Sequence, residues 1–225
     1  MTREHVLVTG ASTGIGRAIA LEFDAAGWHV LAGVRREADA QALRAVGSPR
    51  LRPIILDLTR DEDIDAAAVL VRETTGPAGL AALVNNAGSN LSGAFEYTRP
   101  EQARALMDLN LFGLARVTQV LLPHLRAAAR RGRPATVVNV GSIGSVISVP
   151  WEVWYHASKW AVLGLTLGLR HELWAEGVRV TAVLPGGVRT PFLAKSGSQM
   201  DEAVRALPPD APASYARGMS VRSEE

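Results

Sequence analysis

The fold is decided by residues 5–27, which read HVLVTGASTGIGRAIALEFDAAG. His5–Thr9 is a short apolar run of the kind that forms a buried strand, and Gly10–Gly16 is a glycine-rich turn. Ile15–Ala26 then has the apolar period of a helix, and Gly27 is suited to end it. A strand, a glycine-rich turn and a helix in this order are typical of the first unit of a parallel α/β sheet.

The same alternation of strand-length apolar runs and helical segments continues along most of the chain. Further strands are predicted at His29–Val34, Leu51–Leu58, Leu80–Val84, Ala135–Val140 and Val178–Leu184. Further helices are predicted at Ala38–Val46, Glu62–Thr74, Pro100–Arg131 and Tyr155–Glu176, with a kink at Pro123. We therefore expect a single α/β domain, a doubly wound parallel sheet, over residues 1–194. Residues 195–225 are expected to be a substrate-loop-like or partly disordered tail, with at most a short helix at Asp201–Leu207.

Composition excludes several classes of protein. The 225 residues are 48% hydrophobic and 20% charged, which is ordinary for a globular domain, and the net charge of +2 argues against nucleic acid as the main partner. There is no cysteine, and the five histidines are scattered, so no metal site is expected. Only Thr2–Glu4 separate Met1 from the first strand, which leaves no room for a signal peptide. No uncharged apolar run approaches the length of a membrane span, so a cytoplasmic protein without a membrane partner is predicted.

The glycine-rich turn is one candidate binding site. Between a strand and a helix, glycines let the backbone approach a pyrophosphate held at the helix N-terminus. The spacing here is G-x-x-x-G-x-G, and a purely structural turn is the alternative. A second polar turn, Asn85–Gly88, closes the fourth strand on the same side of the sheet. Its two asparagines are poor strand residues, so we expect their amides to brace neighbouring backbone or ligand groups.

Tyr155 and Lys159 are the most informative pair in the chain. They are four residues apart on a predicted helix, so both side chains project from one face. With three tyrosines and two lysines in 225 residues, this spacing is expected by chance only about 0.03 times. A phenol beside a cation is a usable proton donor and acceptor near neutral pH. A solvent-exposed surface pair is the alternative interpretation.

Two further polar residues have weaker signals. Ser142 follows the fifth strand, where its hydroxyl can bond the oxygen of a carbonyl or an alcohol, although serine in a loop is also a common turn former. Asn110 lies inside the long predicted helix. An amide is unfavourable there unless its side chain, or a backbone carbonyl released from regular helical bonding, makes another hydrogen bond. A buried structural asparagine is the alternative for this position.

Taken in chain order, these residues resemble the short-chain dehydrogenase/reductase family from Val6 to about Phe192. The sequence has the family's T-G-x-x-x-G-x-G turn at residues 9–16 and its N-N-A-G at residues 85–88. The catalytic residues implied by the resemblance are Asn110, Ser142, Tyr155 and Lys159. The cofactor-binding residues implied are Gly10, Ser12, Thr13, Gly14, Ile15, Gly16, Arg35, Arg36, Asp57, Leu58, Asn86, Ala87, Gly88, Tyr155, Lys159, Pro185, Gly186, Val188 and Thr190. The resemblance implies a Rossmann-like fold and an enzyme that interconverts a hydroxyl and a carbonyl group with NAD(P)(H).

The resemblance also assigns roles to the catalytic residues. Tyr155 is implied as the general acid or base at the reacting oxygen, and Ser142 is implied to hold the same oxygen. Lys159 is implied to bond the nicotinamide ribose and to lower the pKa of Tyr155. The Asn110 backbone carbonyl is implied to anchor a water that relays protons to Lys159, and Asp57 is implied to bond the adenine.

The end of the second strand predicts which cofactor is preferred. An NAD enzyme places an acidic residue there against the ribose 2′-hydroxyl, whereas this chain has Arg35 and Arg36. Either arginine can pair with a 2′-phosphate, so NADP(H) is expected to be preferred and NAD(H) remains possible. Thr13 occupies the family's second basic position, and Glu37 or Asp39 can fold back on the arginines.

Apolar and aromatic residues predict the substrate class. The predicted pocket rim consists of Val149, Pro150, Trp151, Val153, Trp154 and Phe192. Substrate contacts are expected from Ser142, Trp151, Tyr155 and Phe192. Such a rim suits a bulky hydrophobic alcohol, ketone or aldehyde, and a subunit contact or a core is the alternative.

The end of the sequence departs from the family pattern. Nothing after Lys195 reads as a strand, so the family's last strand is expected to be absent and a sheet edge to be left unpaired. A homodimer or homotetramer is predicted through the long helices. The competing function is a catalytically impaired NAD(P)-binding sensor or scaffold. A Rossmann-like methyltransferase is a third possibility, but it leaves Ser142 and Lys159 unexplained.

Overall fold

A computed structural model describes residues 4–213 and residue 215 of the chain. Its described residues form a six-stranded, entirely parallel sheet with the order β3-β2-β1-β4-β5-β6. The strands are β1 His5–Val8, β2 His29–Val34, β3 Leu51–Ile55, β4 Ala82–Asn85, β5 Thr136–Val140 and β6 Arg179–Val183. All six predicted strands are present. Pro53 lies in β3, the edge strand, where its missing N–H costs no hydrogen bond of the central ladder.

Helices cover both faces of this sheet, as a doubly wound fold requires. They are α1 Gly14–Ala25, α2 Glu37–Arg44, α3 Asp61–Thr75, α4 Pro100–Met107, α5 Leu114–Arg130, α6 Val153–Leu173 and α7 Pro191–Arg205. Successive strand residues point to opposite faces, so Leu7 belongs to one core and Val6 and Val8 to another. Helices α3 and α5 and the end of α6 pack on the Leu7 face, and α1 and α2 pack on the opposite one.

A short chain of polar side chains crosses the first of these cores. Asn85 and Asn139 are register partners at the ends of β4 and β5, and Nδ2 of Asn85 donates to Oδ1 of Asn139 at 2.9 Å. Asn85 also donates to Thr118 Oγ1 on α5 at 2.9 Å, and Asn139 donates to Thr166 Oγ1 on α6 at 2.8 Å. All four side chains are buried. Hydrogen bonds between side chains therefore join β4 to α5 and β5 to α6 on the same face of the sheet.

The long predicted helix is divided into two by a π-helical turn. Helix α5 continues through Pro123, whereas a π-helical turn at Asp108–Gly113 separates it from α4. A π turn carries one extra residue and loosens the regular i→i+4 bonding of the carbonyls. Asn110 lies inside this turn, which agrees with the expectation that a carbonyl is loosened near Asn110.

The stretch 100–130 also bears on the prediction that no uncharged apolar run approaches the length of a membrane span. By length and composition alone, this helical stretch meets the criteria for a membrane-crossing helix. Its apolar residues Val117, Leu121 and Leu125 are fully buried in the core against the sheet. A core helix of this kind passes the same test as a membrane span, so the stretch is weak support for one.

The region expected to be a tail begins with a regular helix. Helix α7 spans the division at residues 194 and 195, and it is longer than the Asp201–Leu207 segment that the sequence predicted. Its Met200 packs with Ala94 and Trp151 in a small separate core. Among the described residues there is no seventh strand, and β6 forms an edge of the sheet.

Candidate active site

The glycine-rich turn is held against the end of β4. Gly10 and Gly14 have φ angles of +66° and +57°, which glycine adopts without strain. Oγ1 of Thr9 accepts hydrogen bonds from the backbone N–H groups of Asn86 and Ala87, both at 3.0 Å. The Asn86 amide donates in return to the carbonyls of Thr9 and Gly10, at 3.0 and 3.1 Å. The prediction that the amide of Asn86 braces neighbouring backbone is therefore confirmed.

The same packing leaves no room for a side chain at the third glycine. A Cβ atom on Gly16 would lie 2.2 Å from Nδ2 of Asn86 and 2.3 Å from the carbonyl oxygen of Gly10. The start of α1 therefore sits directly on the turn, with its free N–H groups beside it. This is the arrangement that receives an anionic phosphate at a helix N-terminus.

A cleft of about 510 Å³ lies at the carboxyl ends of the strands and collects most of the predicted site residues. Predicted cofactor residues that line it are Gly10, Ser12, Thr13, Gly14, Ile15, Arg35, Leu58, Asn86, Ala87, Gly88, Tyr155, Lys159, Pro185, Gly186, Val188 and Thr190. Ser142 and Phe192 line it as well. Gly16, Arg36, Asp57, Asn110 and Trp151 are the predicted residues that do not. A single cleft thus joins the glycine turn to the predicted catalytic residues.

Tyr155, Lys159 and Ser142 all line this cleft. Tyr155 and Lys159 lie one turn apart on α6, and both are more than nine-tenths buried. The Lys159 ammonium lies 5.9 Å from the centre of the Tyr155 ring and donates to the Val140 carbonyl at 3.0 Å. Ser142 caps a short turn, where its Oγ accepts from the Gly144 N–H at 3.0 Å. The alternative that Tyr155 and Lys159 form an exposed surface pair is wrong.

The pKa shifts differ from what the family resemblance implied. Burial raises the pKa of Tyr155, hydrogen bonding to Ser142 lowers it in part, and the Glu152 carboxylate raises it further. Lys159 is not among the groups that shift it. Burial instead lowers the pKa of Lys159 itself to about 8. The groups of the chain therefore favour a neutral phenol at Tyr155, which is the form that donates a proton to a carbonyl oxygen.

Asn110 acts through its side chain as a brace between two parts of the site. Its Nδ2 donates to the Ser89 carbonyl and to Ser158 Oγ, both at 3.0 Å, and its Oδ1 accepts from the Ser89 N–H at 2.9 Å. Ser158 immediately precedes Lys159 on α6. A Cβ on Gly88 would lie 3.3 Å from Asn110 Oδ1 and 3.6 Å from Lys159 Nζ, so this glycine allows both groups to approach the turn.

The two arginines after β2 have different surroundings. Arg36 is exposed and paired with the Asp39 carboxylate at 2.8 and 3.0 Å, and Glu37 is paired with Arg44 at 2.6 Å. Both acids that can fold back are thereby engaged away from the cleft. Arg35 lines the cleft and makes no ion pair within the described residues. Of the two arginines, Arg35 is thus the one placed to meet a phosphate.

Asp57 and Trp151 do not line the cleft. Asp57 accepts hydrogen bonds from the N–H and hydroxyl of Thr59, at 3.0 and 2.7 Å, and these bonds with nearby Arg35 and Arg60 hold its pKa below the usual range despite burial. Its neighbour Leu58 is the one that lines the cleft. Trp151 is 6% exposed and lies in the small core with Met200. The prediction that Trp151 contacts the substrate from the rim of the pocket is therefore wrong.

Phe192 is the predicted aromatic residue that reaches the site. Its ring centre lies 6.0 Å from that of Tyr155. Trp154 stacks instead on Phe95, with 5.8 Å between ring centres. Of the rim residues expected, only Phe192 lines the cleft, and the apolar lining on this side also includes Ile143 and Leu193.

Two residues next to Tyr155 were missed by sequence reasoning. Glu152 lines the cleft, and buried His156 is bonded to both ends of the loop after Ser142. The Val149 N–H donates to Nε2 of His156 at 3.1 Å, and its Nδ1 lies 3.1 Å from the Gly144 carbonyl. Their closeness in sequence to Tyr155 was the available signal. No group of three or more histidine, aspartate or glutamate residues in the described part of the chain is placed to hold a metal.

Curated relatives of the chain cover most of its length. It is 37% identical over 218 residues to bovine (Bos taurus) short-chain dehydrogenase/reductase family 9C member 7, across 96% of this chain and 68% of that protein. It is 39% identical to rat (Rattus norvegicus) retinol dehydrogenase 7, across 83% of the chain and 57% of the relative. Rat 17-beta-hydroxysteroid dehydrogenase type 6 is 37% identical with the same coverage. The chain thus spans between about half and two thirds of these relatives' lengths.

Solved structures with the same fold include complexes with both nicotinamide cofactors. A short-chain dehydrogenase from Streptomyces avermitilis has a TM-score of 0.77 at 40% identity, covering 85% of this chain and 68% of that one. The Brucella melitensis 3-ketoacyl-(acyl-carrier-protein) reductase with NADH has a TM-score of 0.80 at 28% identity, covering 85% and 78%. ElxO with NADP bound has a TM-score of 0.78 at 29% identity, covering 88% and 80%.

The family model for short chain dehydrogenases matches residues 4–201, nearly all of the part with regular structure. With the glycine turn at the start of α1 and with Ser142, Tyr155 and Lys159 in one cleft, the match joins sequence, fold and site. The chain therefore belongs to the short-chain dehydrogenase family of enzymes, oxidoreductases that act on hydroxyl and carbonyl groups with NAD(P)(H).

Proposed function

We propose that this chain is an NADP(H)-dependent oxidoreductase that interconverts a hydroxyl and a carbonyl group on a small hydrophobic substrate, with Tyr155 as the general acid or base. The observation that carries the proposal is the meeting of Tyr155, Ser142 and Lys159 in the cleft that begins at the glycine turn. When bound, the nicotinamide dinucleotide supplies or accepts the hydride.

The residues present fit a dinucleotide. The turn at Gly10–Gly16 presents backbone without side chains, and a Cβ at Gly10 would lie 2.7 Å from the Cα of Ala87. This closeness of the backbone, together with the N-terminus of α1, suits the pyrophosphate. Arg35 would hold a 2′-phosphate, and Lys159 would bind the ribose on the nicotinamide side. Within the described residues, Asp39 and Glu37 after β2 are both paired with arginines, so neither is free to favour a 2′-hydroxyl instead.

The chain's own groups divide the work on the substrate. Tyr155 holds the proton that reaches a carbonyl oxygen, since burial raises the pKa of its phenol. Ser142 is placed to bond the same oxygen, and the Gly144 N–H orients its hydroxyl. Lys159 is a buried cation one helical turn from Tyr155, where its bond to the Val140 carbonyl holds it in reach of the nicotinamide ribose. Asn110 keeps α6 against the turn that follows β4 through its bond to Ser158.

A hydrophobic substrate is supported by the lining of the cleft beside Tyr155, where Ile143, Phe192 and Leu193 contribute apolar side chains. The names of the relatives point the same way, because retinol and hydroxysteroids are alcohols on large apolar frameworks. Assembly into a homodimer or homotetramer and a cytoplasmic location stay predictions from the sequence.

Binding experiments test the cofactor. We expect NADPH to bind more tightly than NADH when dissociation constants are measured by calorimetry. Arg35→Gln should weaken NADPH binding by about 10- to 100-fold, the value of one lost charge-assisted bond, and leave NADH binding unchanged. Arg36→Gln is the matched control, because this neighbour is already paired with Asp39. An unchanged ratio of the two constants in Arg35→Gln would refute the preference for NADP(H).

Turnover tests the reaction. Reduction of cyclohexanone or a decalone by NADPH should be lost in Tyr155→Phe, with NADPH binding retained, because the phenyl ring keeps the shape and loses the proton. A Tyr155→Phe variant as active as the wild type would exclude Tyr155 as the acid. Tight NADPH binding without turnover of any carbonyl compound would favour the alternative of a sensor or scaffold.

A further inference from the structure

Glu152 places a carboxylate in the wall of the cleft beside the proposed acid. It directly precedes α6, three residues before Tyr155, and its side chain is only 19% exposed. It makes no hydrogen bond that caps the helix. Its negative charge acts on the Tyr155 phenol, whose pKa it raises. A partly buried carboxylate that makes no side-chain hydrogen bond within the described residues therefore lies in the wall of the cleft that Tyr155 also lines.

The nearest chargeable group does not neutralise this carboxylate. Nε2 of His156 lies 3.7 Å from Oε2 of Glu152. That nitrogen accepts the Val149 N–H, so it carries no proton, and Nδ1 must carry the proton because it faces the Gly144 carbonyl, which can only accept. His156 is therefore neutral in this arrangement.

The three cationic residues that line the cleft, Arg35, Lys159 and Lys195, form no ion pair with Glu152. No lysine or arginine nitrogen of the described residues lies within 4.0 Å of the Glu152 carboxylate. Lys159 donates to the Val140 carbonyl, and Lys195 is exposed on α7. Taking a carboxylate partly out of water costs free energy unless hydrogen-bond donors replace the water. On the substrate side of the cleft, a bound substrate is the available source of such a donor.

We propose that Glu152 is a specificity-determining residue that accepts a hydrogen bond from a second polar group of the substrate, a hydroxyl or an ammonium. The inference rests on the proposed function and narrows it: the substrate has an apolar framework with a reacting carbonyl or alcohol and one further donor. Carbonyl compounds that carry a carboxylate at that second position are repelled by the like charge.

Ring ketones that differ in one substituent test this proposal. The probes are cyclohexanone and its hydroxy, amino and carboxy derivatives, substituted at carbon 3 or carbon 4, and kcat/KM is measured for each with NADPH. We expect kcat/KM to be higher for the hydroxy and amino probes than for cyclohexanone, and lower for the carboxy probe. Glu152→Ala should lower the ratio of kcat/KM for the preferred probes to kcat/KM for cyclohexanone by about 10- to 100-fold, whatever the change at Tyr155 does to all probes alike.

A second variant separates charge from hydrogen bonding. Glu152→Gln keeps an acceptor oxygen but removes the charge, so it should retain part of the preference for the hydroxy probe. The same variant should raise kcat/KM for the carboxy probe, relative to that for cyclohexanone, by about tenfold. Glu172→Gln, an exposed glutamate on the same helix, is the matched control and should change none of these ratios. Because Glu152 makes no capping bond, neither substitution at this position is expected to disturb α6.

Binding gives a readout that does not depend on turnover. Dissociation constants of the matching cyclohexanols, measured by calorimetry with NADP⁺ present, should show the same order and the same response to Glu152. Identical selectivity of wild type, Glu152→Ala and Glu152→Gln in both measurements would overturn the role of Glu152 and leave the proposed reaction standing. A wild type that reduces no ketone but selects cyclohexanols through Glu152 would support this role and contradict the proposed reaction alone.

Discussion

Adding one methyl group at Gly16 tests how tightly the cofactor turn is built. In Gly16→Ala the new Cβ would lie 2.2 Å from Nδ2 of Asn86 and 2.3 Å from the Gly10 carbonyl oxygen, so the turn and α1 must move apart. Overpacking of this kind costs about 1–3 kcal/mol. Separation also breaks the bonds from Asn86 to the Thr9 and Gly10 carbonyls, each worth about 1 kcal/mol. Alanine returns at most about 1 kcal/mol through its higher helix propensity.

The expected net loss in the free energy of unfolding is about 2–4 kcal/mol. For a chain of this size it corresponds to a decrease in Tm of roughly 4–16 °C. Urea unfolding followed by circular dichroism measures the loss, and calorimetry should show weaker NADPH binding because the turn has shifted.

The matched control makes the same chemical change in open space. A Cβ on Gly164, in the middle of α6, meets nothing within 4 Å, so Gly164→Ala should stabilise the protein by about 0.5–1 kcal/mol. Gly16→Ala should therefore lower the free energy of unfolding, and Gly164→Ala should raise it. Equal stability of Gly16→Ala and the wild type, with NADPH binding unchanged, would refute the close contact of α1, the turn and Asn86.

Three further perturbations have signs fixed by the structure. Burial lowers the pKa values of His5 and His124, so both histidines bind protons more weakly in the folded chain than in the unfolded chain. The free energy of unfolding should therefore fall as the pH drops from about 6.5 towards 5. Replacing both histidines by glutamine should flatten this pH dependence in urea titrations. Lys159→Met should raise the free energy of unfolding by up to about 3 kcal/mol below pH 8, where the ammonium of the wild type is charged in both the folded and the unfolded chain. The difference between variant and wild type should disappear as the pH rises from 8 to 10.5, because the folded wild type then loses the buried charge. His156→Leu leaves two buried backbone groups unpaired and should cost about 2–4 kcal/mol, whereas the exposed His171→Leu on the same helix should stay within about 0.5 kcal/mol; equal unfolding curves for the two would contradict the bridging role.

Local chemistry made much of the fold and site predictable. The strand at His5–Val8 and the glycines after it follow from short-range rules on apolar runs and backbone freedom. The pairing of Tyr155 with Lys159 follows from helical spacing. Asn86 was expected to brace backbone because amides are poor strand residues, and it does.

The remaining features depend on contacts between distant parts of the chain. Trp151 was expected in the substrate pocket, but Met200 of α7, about fifty residues later, covers it. Helix α7 is longer than the Asp201–Leu207 segment that the sequence predicted, and most of its residues are exposed. The pKa of Tyr155 depends on how deeply the phenol is buried, which spacing on a helix does not determine. Asp39 holds Arg36 and leaves Arg35 to the cleft, a choice between two adjacent arginines that the sequence left open.

The paired asparagines of β4 and β5 have a consequence for how the sheet assembles. Both strands are covered on their two faces, so their apolar residues alone distinguish weakly between the native alignment and one shifted along the strand. Sliding β5 by two residues would separate Asn85 from Asn139 and leave two buried amides without partners, at several kcal/mol. Replacing both by valine should therefore leave stability nearly intact but slow folding through misaligned intermediates, which stopped-flow kinetics would detect as an added phase. In the native chain, two amides mark the single alignment in which the carboxyl ends of the central strands, and with them the cleft, are brought level.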